Sequence, residues 1–289
     1  MKTLRTTAIL FCLIQALCAL AWSDLKMPAV PDSLRSPQTR AAYLMAHYFD
    51  RLGETDPGAL ADKEWTERTF AEFISLAPYA AEAAPQSVAE ALAVLLKSLD
   101  IHYIDELAET YLHYPDSPNF DDSLYLAWLR TAAANSPDSL RRDIFSQKAE
   151  AAGRNQPGTT AMDFAFTRLD NGSGMKLSDI TTPVILIFFD PDCSSCRNAI
   201  RRLGADSRIS DAVERGQLTV LAVYHDADQA LLPEAAALIP KGWIGAWEDG
   251  SVSDNELYEL ILAPTVYVLD GSRRVVSRNP ALGKITIPQ

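Results

Sequence analysis

The chain is poor in cysteine and histidine, with four of each among its 289 residues. Three histidines have no cysteine or second histidine at the spacing of metal ligands: His47, His102 and His113. A closed zinc site requires four ligands, and the segment around Cys193 and Cys196 offers one further candidate, His225. The sequence therefore predicts that the protein holds no stable metal.

Clusters of basic residues are also lacking. The formal net charge is −12, and no basic run is longer than a pair such as Arg141–Arg142. A protein that binds a nucleic-acid backbone must neutralise phosphates with Lys and Arg, so we expect no nucleic-acid partner. The chain is 48% hydrophobic and 22% charged, which is sufficient for a packed core, and its length suits two domains.

The N-terminus carries an apolar run too short for a permanent membrane anchor. Lys2 and Arg5 precede 14 residues, AILFCLIQALCALA, whose only interruption is Gln15. A membrane span requires roughly 18 or more apolar residues, and this run closes on an A-x-A sequence that ends at Ala21. These features predict a secretory signal peptide over residues 1–21, and hence an exported protein of the periplasm or cell envelope.

Removal of the signal peptide would leave two cysteines in the mature chain. Cys12 and Cys18 would be lost, and Cys193 and Cys196 would remain. In an oxidising compartment, a single pair of this kind forms either a structural disulfide or a redox-active one.

Residues 22–150 have the periodicity of helices. The segment RAAYLMAHYFDRL places apolar residues on one helical face, and TERTFAEFISLA and SVAEALAVLLKSL repeat the pattern. We therefore expect an all-α domain over residues 22–150. Its aromatic side chains are expected to fill the helical core, with a partner-binding groove as the alternative.

Residues 151–161 are small and polar with Gly and Pro, and they predict a linker. Beyond them the hydrophobic period changes. DFAFTRL and MKLSDI predict a hairpin, PVILIFF predicts a strand buried on both faces, and LTVLAVY, PTVYVLD and RRVVSR predict further strands. Helices are predicted at SCRNAIRRLGAD, DADQALLPEAAALI and DNELYELIL. Residues 162–289 are thus expected to form an α/β domain around a central sheet.

The segment FFDPDCSSC, residues 188–196, carries the chemistry. Cys193 falls where a buried strand ends and a helix begins, so free N–H groups and the helix dipole favour its thiolate. A thiolate is the attacking species in disulfide exchange, and Cys196 lies one helical turn further along. The carboxylates of Asp190 and Asp192 would oppose ionisation of Cys193 if they faced it. Alternatively, the two aspartates accept hydrogen bonds in the turn and at the helix cap.

Two alternatives to redox chemistry remain open from the residues. A hydrophobic strand that ends in Asp-x-Asp also occurs in haloacid-dehalogenase-type phosphatases, but here Cys193 and Ser194 follow the aspartates. The second alternative is a non-catalytic envelope binding protein, in which a Cys193–Cys196 disulfide would be structural and the helical half would recognise the partner.

The C-terminal half resembles the thioredoxin fold, in its extracytoplasmic thiol-disulfide oxidoreductase branch. AMDFAFTRLDNGSGMKLSDI is similar to the opening hairpin of that branch, PVILIFFDPDCSSC to its strand, loop and CxxC, and APTVYVLD to the strand that begins with the cis-proline. The resemblance implies a central mixed sheet flanked by helices, with Cys193 as nucleophile and Cys196 as resolving thiol. It also implies a cis Pro264 opposite the dithiol and an Ala263 backbone that binds the substrate chain.

The same resemblance implies a function. It suggests a periplasmic thiol:disulfide oxidoreductase, acting as a reductant of protein disulfides and re-reduced by a membrane electron donor. The redox group would be the Cys193–Cys196 disulfide itself, without a cofactor. Asp192 stands where the family has an aromatic residue and Ile187 where many thioredoxins have a buried acid. The helical half resembles a domain of unknown function that precedes such modules in bacterial envelope proteins.

Overall fold

A computed structural model describes residues 25–114 and 117–288. The predicted signal peptide, residues 1–21, lies outside the described residues. The chain divides into two units, Met1–Ser146 and Gln147–Gln289. Each helix within the described ranges is too short or too polar to cross a bilayer.

The first unit is helical. Its helices are α1 (Pro37–Ala46), α2 (Pro57–Ala61), α3 (Lys63–Ile74), α4 (Ala77–Ala80), α5 (Ala84–Leu95), α6 (Ile101–Ala108), α7 (Asp122–Asn135) and α8 (Ser139–Gly153), with a π-helical turn at Glu109–His113. Aspartates cap several of these helices: Asp62 accepts from the N–H of Glu64, and Asp121 accepts from the N–H of Ser123. Each such cap satisfies an N–H group that has no partner within the helix. The division between the units falls within α8.

Aromatic side chains fill the core of the first unit. The rings of Tyr48 and Phe49 both pack against that of Phe73, which is fully buried. Trp128 on α7 is also fully buried, and its indole N–H donates to Asp105 Oδ1 over 2.8 Å. These contacts agree with the expectation that the aromatic residues form a helical core.

Replacement of Trp128 with Ala is expected to lower the free energy of unfolding by about 3–5 kcal/mol, because a large cavity forms in a packed core. The measurement is urea denaturation of the full chain, followed by far-UV circular dichroism. Tyr79 is 66% exposed, so Tyr79→Ala serves as a control, with an expected change within about 0.5 kcal/mol. Equal midpoints for the two variants would contradict the assignment of Trp128 to the core.

The second unit is built on a seven-stranded mixed sheet. Its strands are β1 (Ala165–Arg168), β2 (Gly174–Lys176), β3 (Val184–Phe189), β4 (Thr219–Tyr224), β5 (Ile244–Trp247), β6 (Thr265–Leu269) and β7 (Val275–Arg278). Their order across the sheet is β2-β1-β5-β4-β3-β6-β7. Strands β3, β4 and β5 run parallel, and the remaining pairs are antiparallel. The predicted central mixed sheet with its N-terminal hairpin is confirmed.

Both faces of this sheet are covered. The helices of the second unit are α9 (Ser194–Gly204), α10 (Ser207–Glu214), α11 (Leu232–Leu238) and α12 (Ser251–Asp254). Ile185, Ile187 and Phe189 belong to one core cluster, together with residues of α9 and α10. Val184, Leu186 and Phe188 belong to the other. Strand β3 is therefore buried on both faces, as the continuous apolar run predicts.

The segment predicted as a linker is packed on the second unit. Gly158 N–H donates to Val275 O, and Val275 N–H donates to Thr159 O. Ala161 N–H donates to Arg273 O, and the Asn155 side chain donates to Leu257 O. These hydrogen bonds extend the sheet region beyond β7, so residues 155–161 form part of the fold.

Two elements of the second unit differ from the prediction. The segment DNELYELIL is predicted to be helical, but α12 ends at Asp254, and residues 255–262 form turns, bends and irregular backbone. Glu256 has a φ of 52°, and the buried Tyr258 donates its hydroxyl to Met162 O over 2.6 Å. This tertiary contact outweighs the helical spacing of the apolar residues. Strand β5 has no counterpart among the predicted strands.

Candidate functional site

The dithiol lies at the carboxyl end of β3. Cys193 is the N-cap of α9, and its carbonyl accepts from Arg197 N–H over 3.1 Å. Asp190 shapes the preceding turn: its Oδ1 accepts from Asp192 N–H over 2.8 Å, and its carbonyl accepts from Cys193 N–H over 3.1 Å. The side chain of Asp190 therefore has a structural part in the turn that presents Cys193.

The two cysteines differ in accessibility. Both are free thiols; Cys193 is partly exposed, whereas Cys196 is fully buried in the core between the sheet and α9. The two lie one helical turn apart, and because only Cys193 is exposed in part, a reagent can reach Cys193 but not Cys196. This is the asymmetry that a nucleophile and a resolving thiol require.

The pKa of Cys193 lies below its ordinary value. Partial burial raises this pKa, but hydrogen bonds from the Ser195 hydroxyl, from the backbone and thiol of Cys196 and from the Ser195 backbone together outweigh burial. At neutral pH, Cys193 is therefore more ionised than an ordinary cysteine, and its thiolate is the reactive form.

Burial raises the pKa of Cys196 to about 12. A hydrogen bond from the Asp190 backbone acts in the opposite direction and lowers this pKa. The hydrogen bond and charge of Cys193 and the charge of Asp190 raise it further. The pKa of Cys193 is thus lowered and that of Cys196 is raised, so Cys196 stays protonated while Cys193 ionises. Asp190 thus acts on the buried thiol, where it opposes charge.

Ala263 and Pro264 directly precede β6, and Ala263 approaches the dithiol. The Ala263–Pro264 peptide bond is cis, and Ala263 O lies 3.8 Å from Cys193 Sγ. Ser195 adds a contact that the sequence reasoning missed, since its hydroxyl donates to Ala263 O over 2.7 Å. The structure thus places all four sequence-predicted site residues together. The feature of the sequence that points to Ser195 is its hydroxyl side chain, two residues after the first cysteine of the CxxC.

A groove of about 410 Å³ runs beside this contact. Ser195, Asn198 and Arg202 form its α9 side. Ala263 and Pro264 form part of the other side, with residues 279–282 after β7. An extended chain bound there would pass next to Cys193, with Arg202 at the groove wall.

An acidic region lies on the β4 side of the dithiol. Burial raises the pKa of Tyr224 to about 12, and the charges of four aspartates add to the rise: Asp226, Asp228, Asp190 and Asp192. His225, in the same loop, packs its ring edge-on to Phe188, with centroids 6.1 Å apart. The histidine is thus a packing residue of the loop, and the aspartates collect around Tyr224.

Comparison with protein families matches residues 6–155 to the family described as a domain of unknown function, DUF5106. This match covers more than half of the chain. The chain belongs to the DUF5106 family. The expectation of a helical N-terminal domain that belongs to a family of unknown function is thereby confirmed.

Solved structures support the remainder of the fold. A thioredoxin-like protein from Bacteroides caccae is 25% identical, with a TM-score of 0.77 over 91% of this chain and 96% of the other. The thioredoxin-like fold of this DUF5106 protein is confirmed by that match. A comparison with curated proteins gave no match.

Two further solved structures match about half of the chain. A conserved protein of unknown function from Bacteroides fragilis is 31% identical over 45% of this chain and 95% of its own, with a TM-score of 0.43. The thioredoxin domain of a thiol-disulfide oxidoreductase from Bacteroides vulgatus is 17% identical over 43% and 89%, with a TM-score of 0.36.

Proposed function

We propose that this protein is an exported thiol:disulfide oxidoreductase that reduces disulfides of other proteins in the periplasm or cell envelope. The observation that carries the proposal is the pairing of two unlike thiols. An accessible Cys193, whose pKa is lowered, lies one helical turn from a fully buried Cys196, and both lie beside the backbone of Ala263.

The first step is attack of the Cys193 thiolate on one sulfur of the substrate disulfide. A bond forms between Cys193 Sγ and that sulfur, and the substrate S–S bond breaks. The second substrate sulfur leaves as a thiolate and takes a proton from solvent. The partial exposure of Cys193 permits this attack, and its thiolate is available at neutral pH.

The second step is attack of Cys196 on the mixed disulfide. Cys196 gives its proton to solvent as its sulfur attacks Cys193 Sγ; the Cys193–substrate S–S bond breaks, and the first substrate sulfur leaves as a thiolate that takes a proton from solvent. The protein then holds a Cys193–Cys196 disulfide, and two electrons have passed to the substrate. A membrane electron donor that carries a dithiol would return the protein to its reduced form.

The groove next to Ala263 is the proposed binding site for the substrate chain. The Ala263 carbonyl lies 3.8 Å from Cys193 Sγ, so a main-chain N–H bound to it would hold a neighbouring disulfide next to the nucleophile. Such positioning replaces a bimolecular encounter by a reaction within the complex.

The test is reduction of insulin by the full chain with dithiothreitol as the electron source. We expect faster precipitation of the insulin B chain than with dithiothreitol alone. The reduction potential of the Cys193–Cys196 pair, measured by equilibration with glutathione, is expected near that of thioredoxin, about −270 mV.

Two results would contradict the proposal. A chain that does not accelerate insulin reduction, with a disulfide that resists reduction across the oxidoreductase range, would identify a structural disulfide and favour the binding-protein alternative. A potential near −120 mV would mark the protein as an oxidant, and the proposed direction of electron flow would be wrong.

A further inference from the structure

The Ser195 hydroxyl lies between two groups that can each accept its hydrogen. Its Oγ is 2.8 Å from Cys193 Sγ and 2.7 Å from Ala263 O. The sulfur and the carbonyl oxygen are themselves 3.8 Å apart. One side chain of the CSSC segment thus touches both the nucleophile and the carbonyl that adjoins the substrate groove.

A serine hydroxyl has one hydrogen to donate. When Cys193 is a neutral thiol, its S–H can donate to Ser195 Oγ or to Ala263 O, and the Ser195 hydroxyl donates to Ala263 O. When Cys193 is a thiolate, both neighbours are acceptors and compete for that hydrogen. Hydrogen bonds to a charged acceptor are roughly twice as strong as neutral ones, so the hydroxyl turns to the thiolate.

We propose that Ser195 is a positioning residue whose hydroxyl alternates between Ala263 O and Cys193 Sγ, so that ionisation of Cys193 frees the Ala263 carbonyl for a substrate chain. The substrate part of this inference rests on the proposed function. The alternation of the hydroxyl rests on the three distances alone.

The coupling operates in both directions, because linkage between two binding events is reciprocal. A carbonyl oxygen can accept two hydrogen bonds, but a substrate N–H that donates to Ala263 O weakens the bond of that oxygen to the Ser195 hydrogen, because both donors draw on the same electron density. The hydroxyl then stabilises the Cys193 thiolate while the substrate disulfide is at hand. Substrate binding and activation of the nucleophile thereby favour one another.

Other charged and titratable groups surround the dithiol and remain unchanged in a Ser195 variant. Cys196, Arg197 and Arg202 lie on α9 itself, Asp190 and Asp192 lie in the preceding turn, and the β4 side contributes Tyr224, His225, Asp226 and Asp228. A difference between the pH profiles of the wild type and the variant is therefore caused by the loss of the Ser195 hydroxyl.

The experiment measures the rate of iodoacetamide alkylation of the reduced full chain from pH 5 to pH 10, with mass spectrometry to confirm the modified residue. Among the described residues the other cysteine is Cys196, which is fully buried, so the rate of labelling at Cys193 itself follows its thiolate. Ser195→Ala is expected to react about tenfold more slowly at pH 7, because the Cys193 thiolate loses one charge-assisted hydrogen bond. At high pH the variant is expected to reach the wild-type rate. Ser195→Thr keeps a hydroxyl and is expected to restore the profile.

Ser194→Ala is the matched control, because Ser194 is exposed next to the same cysteine, and its profile is expected to equal the wild type. An unchanged profile for Ser195→Ala, or equal shifts in the Ser194 and Ser195 variants, would overturn the proposal. Melting curves of each variant verify that the fold is retained.

Insulin kinetics supply the second measurement. In Ser195→Ala the Ala263 carbonyl loses its internal donor, so KM is expected to fall, whereas kcat falls at pH 7 and recovers at high pH. A KM that rises together with a pH-independent loss of kcat would indicate a merely structural role and overturn the coupling. If the wild-type chain does not reduce insulin, the proposed function fails, while the alkylation profiles still decide whether Ser195 donates to the thiolate.

Discussion

Replacement of Cys193 with Ser is expected to abolish insulin reduction and leave only the rate of dithiothreitol alone. A serine hydroxyl stays protonated at neutral pH and does not attack a disulfide, whereas the Cys193 thiolate is stabilised by Ser195 and Cys196. Because Cys193 is partly exposed at the N-cap of α9, the substitution is expected to leave the fold intact.

The control for this variant is again Ser194→Ala, with an expected activity equal to the wild type. Circular dichroism and a melting curve establish that Cys193→Ser is folded. Retention of more than a small part of the catalysed rate would contradict the assignment of Cys193 as nucleophile, because Cys196, the other cysteine of the described ranges, is fully buried.

Replacement of Cys196 with Ala is expected to stop turnover and trap the substrate. Cys193 still attacks, but no second thiol is available to break the mixed disulfide. We therefore expect a covalent adduct of the protein with a disulfide-containing peptide, in a one-to-one ratio, as measured by mass spectrometry without reductant. Alanine suits the site better than serine, because a buried hydroxyl without a partner would destabilise the core.

The adduct is expected to disappear when Cys193→Ser is combined with Cys196→Ala. An adduct that persists in the double variant would place the reaction elsewhere. Full turnover in the single Cys196→Ala variant would remove Cys196 from the mechanism. A wild-type chain that forms no adduct and no product would favour the binding-protein alternative.

The two aspartates of FFDPDCSSC need no catalytic role to be accounted for. Asp190 accepts from Asp192 N–H and so shapes the turn before α9. Its charge raises the pKa of the buried Cys196, and both aspartates raise the pKa of Tyr224. The second unit has a thioredoxin-like fold and not the fold of the phosphatases that carry an Asp-x-Asp motif, so the phosphatase alternative is not supported.

Much of the fold is readable from local sequence patterns. The unbroken run at Val184–Phe189 predicts a strand buried on both faces, and its six residues are all buried. The same run, followed by helical spacing, predicts that Cys193 lies at the junction of a strand and a helix, and Cys193 is the N-cap of α9. Such signals depend on residues a few positions apart, so a single sequence contains them.

The predictions that differ depend on distant contacts. The apolar residues of 255–262 have helical spacing, but this segment is not helical. The Tyr258 hydroxyl instead donates to Met162 O, which lies 96 positions earlier in the chain. Strand β5 is short, and it becomes a strand through pairing with β1 and β4 on either side. Residues 155–161 are polar enough for a linker, yet backbone groups of Gly158, Thr159 and Ala161 find partners at Arg273 and Val275.

The sequence by itself determined the place of Cys193 at a strand–helix junction and the helical nature of the first unit, because those properties arise from short-range periodicity and spacing. Only the tertiary structure decided that the Ser195 hydroxyl lies between Cys193 and an Ala263 carbonyl 68 residues away. A hydroxyl's partner is set by where the fold brings separate strands together, and no local pattern specifies that distance.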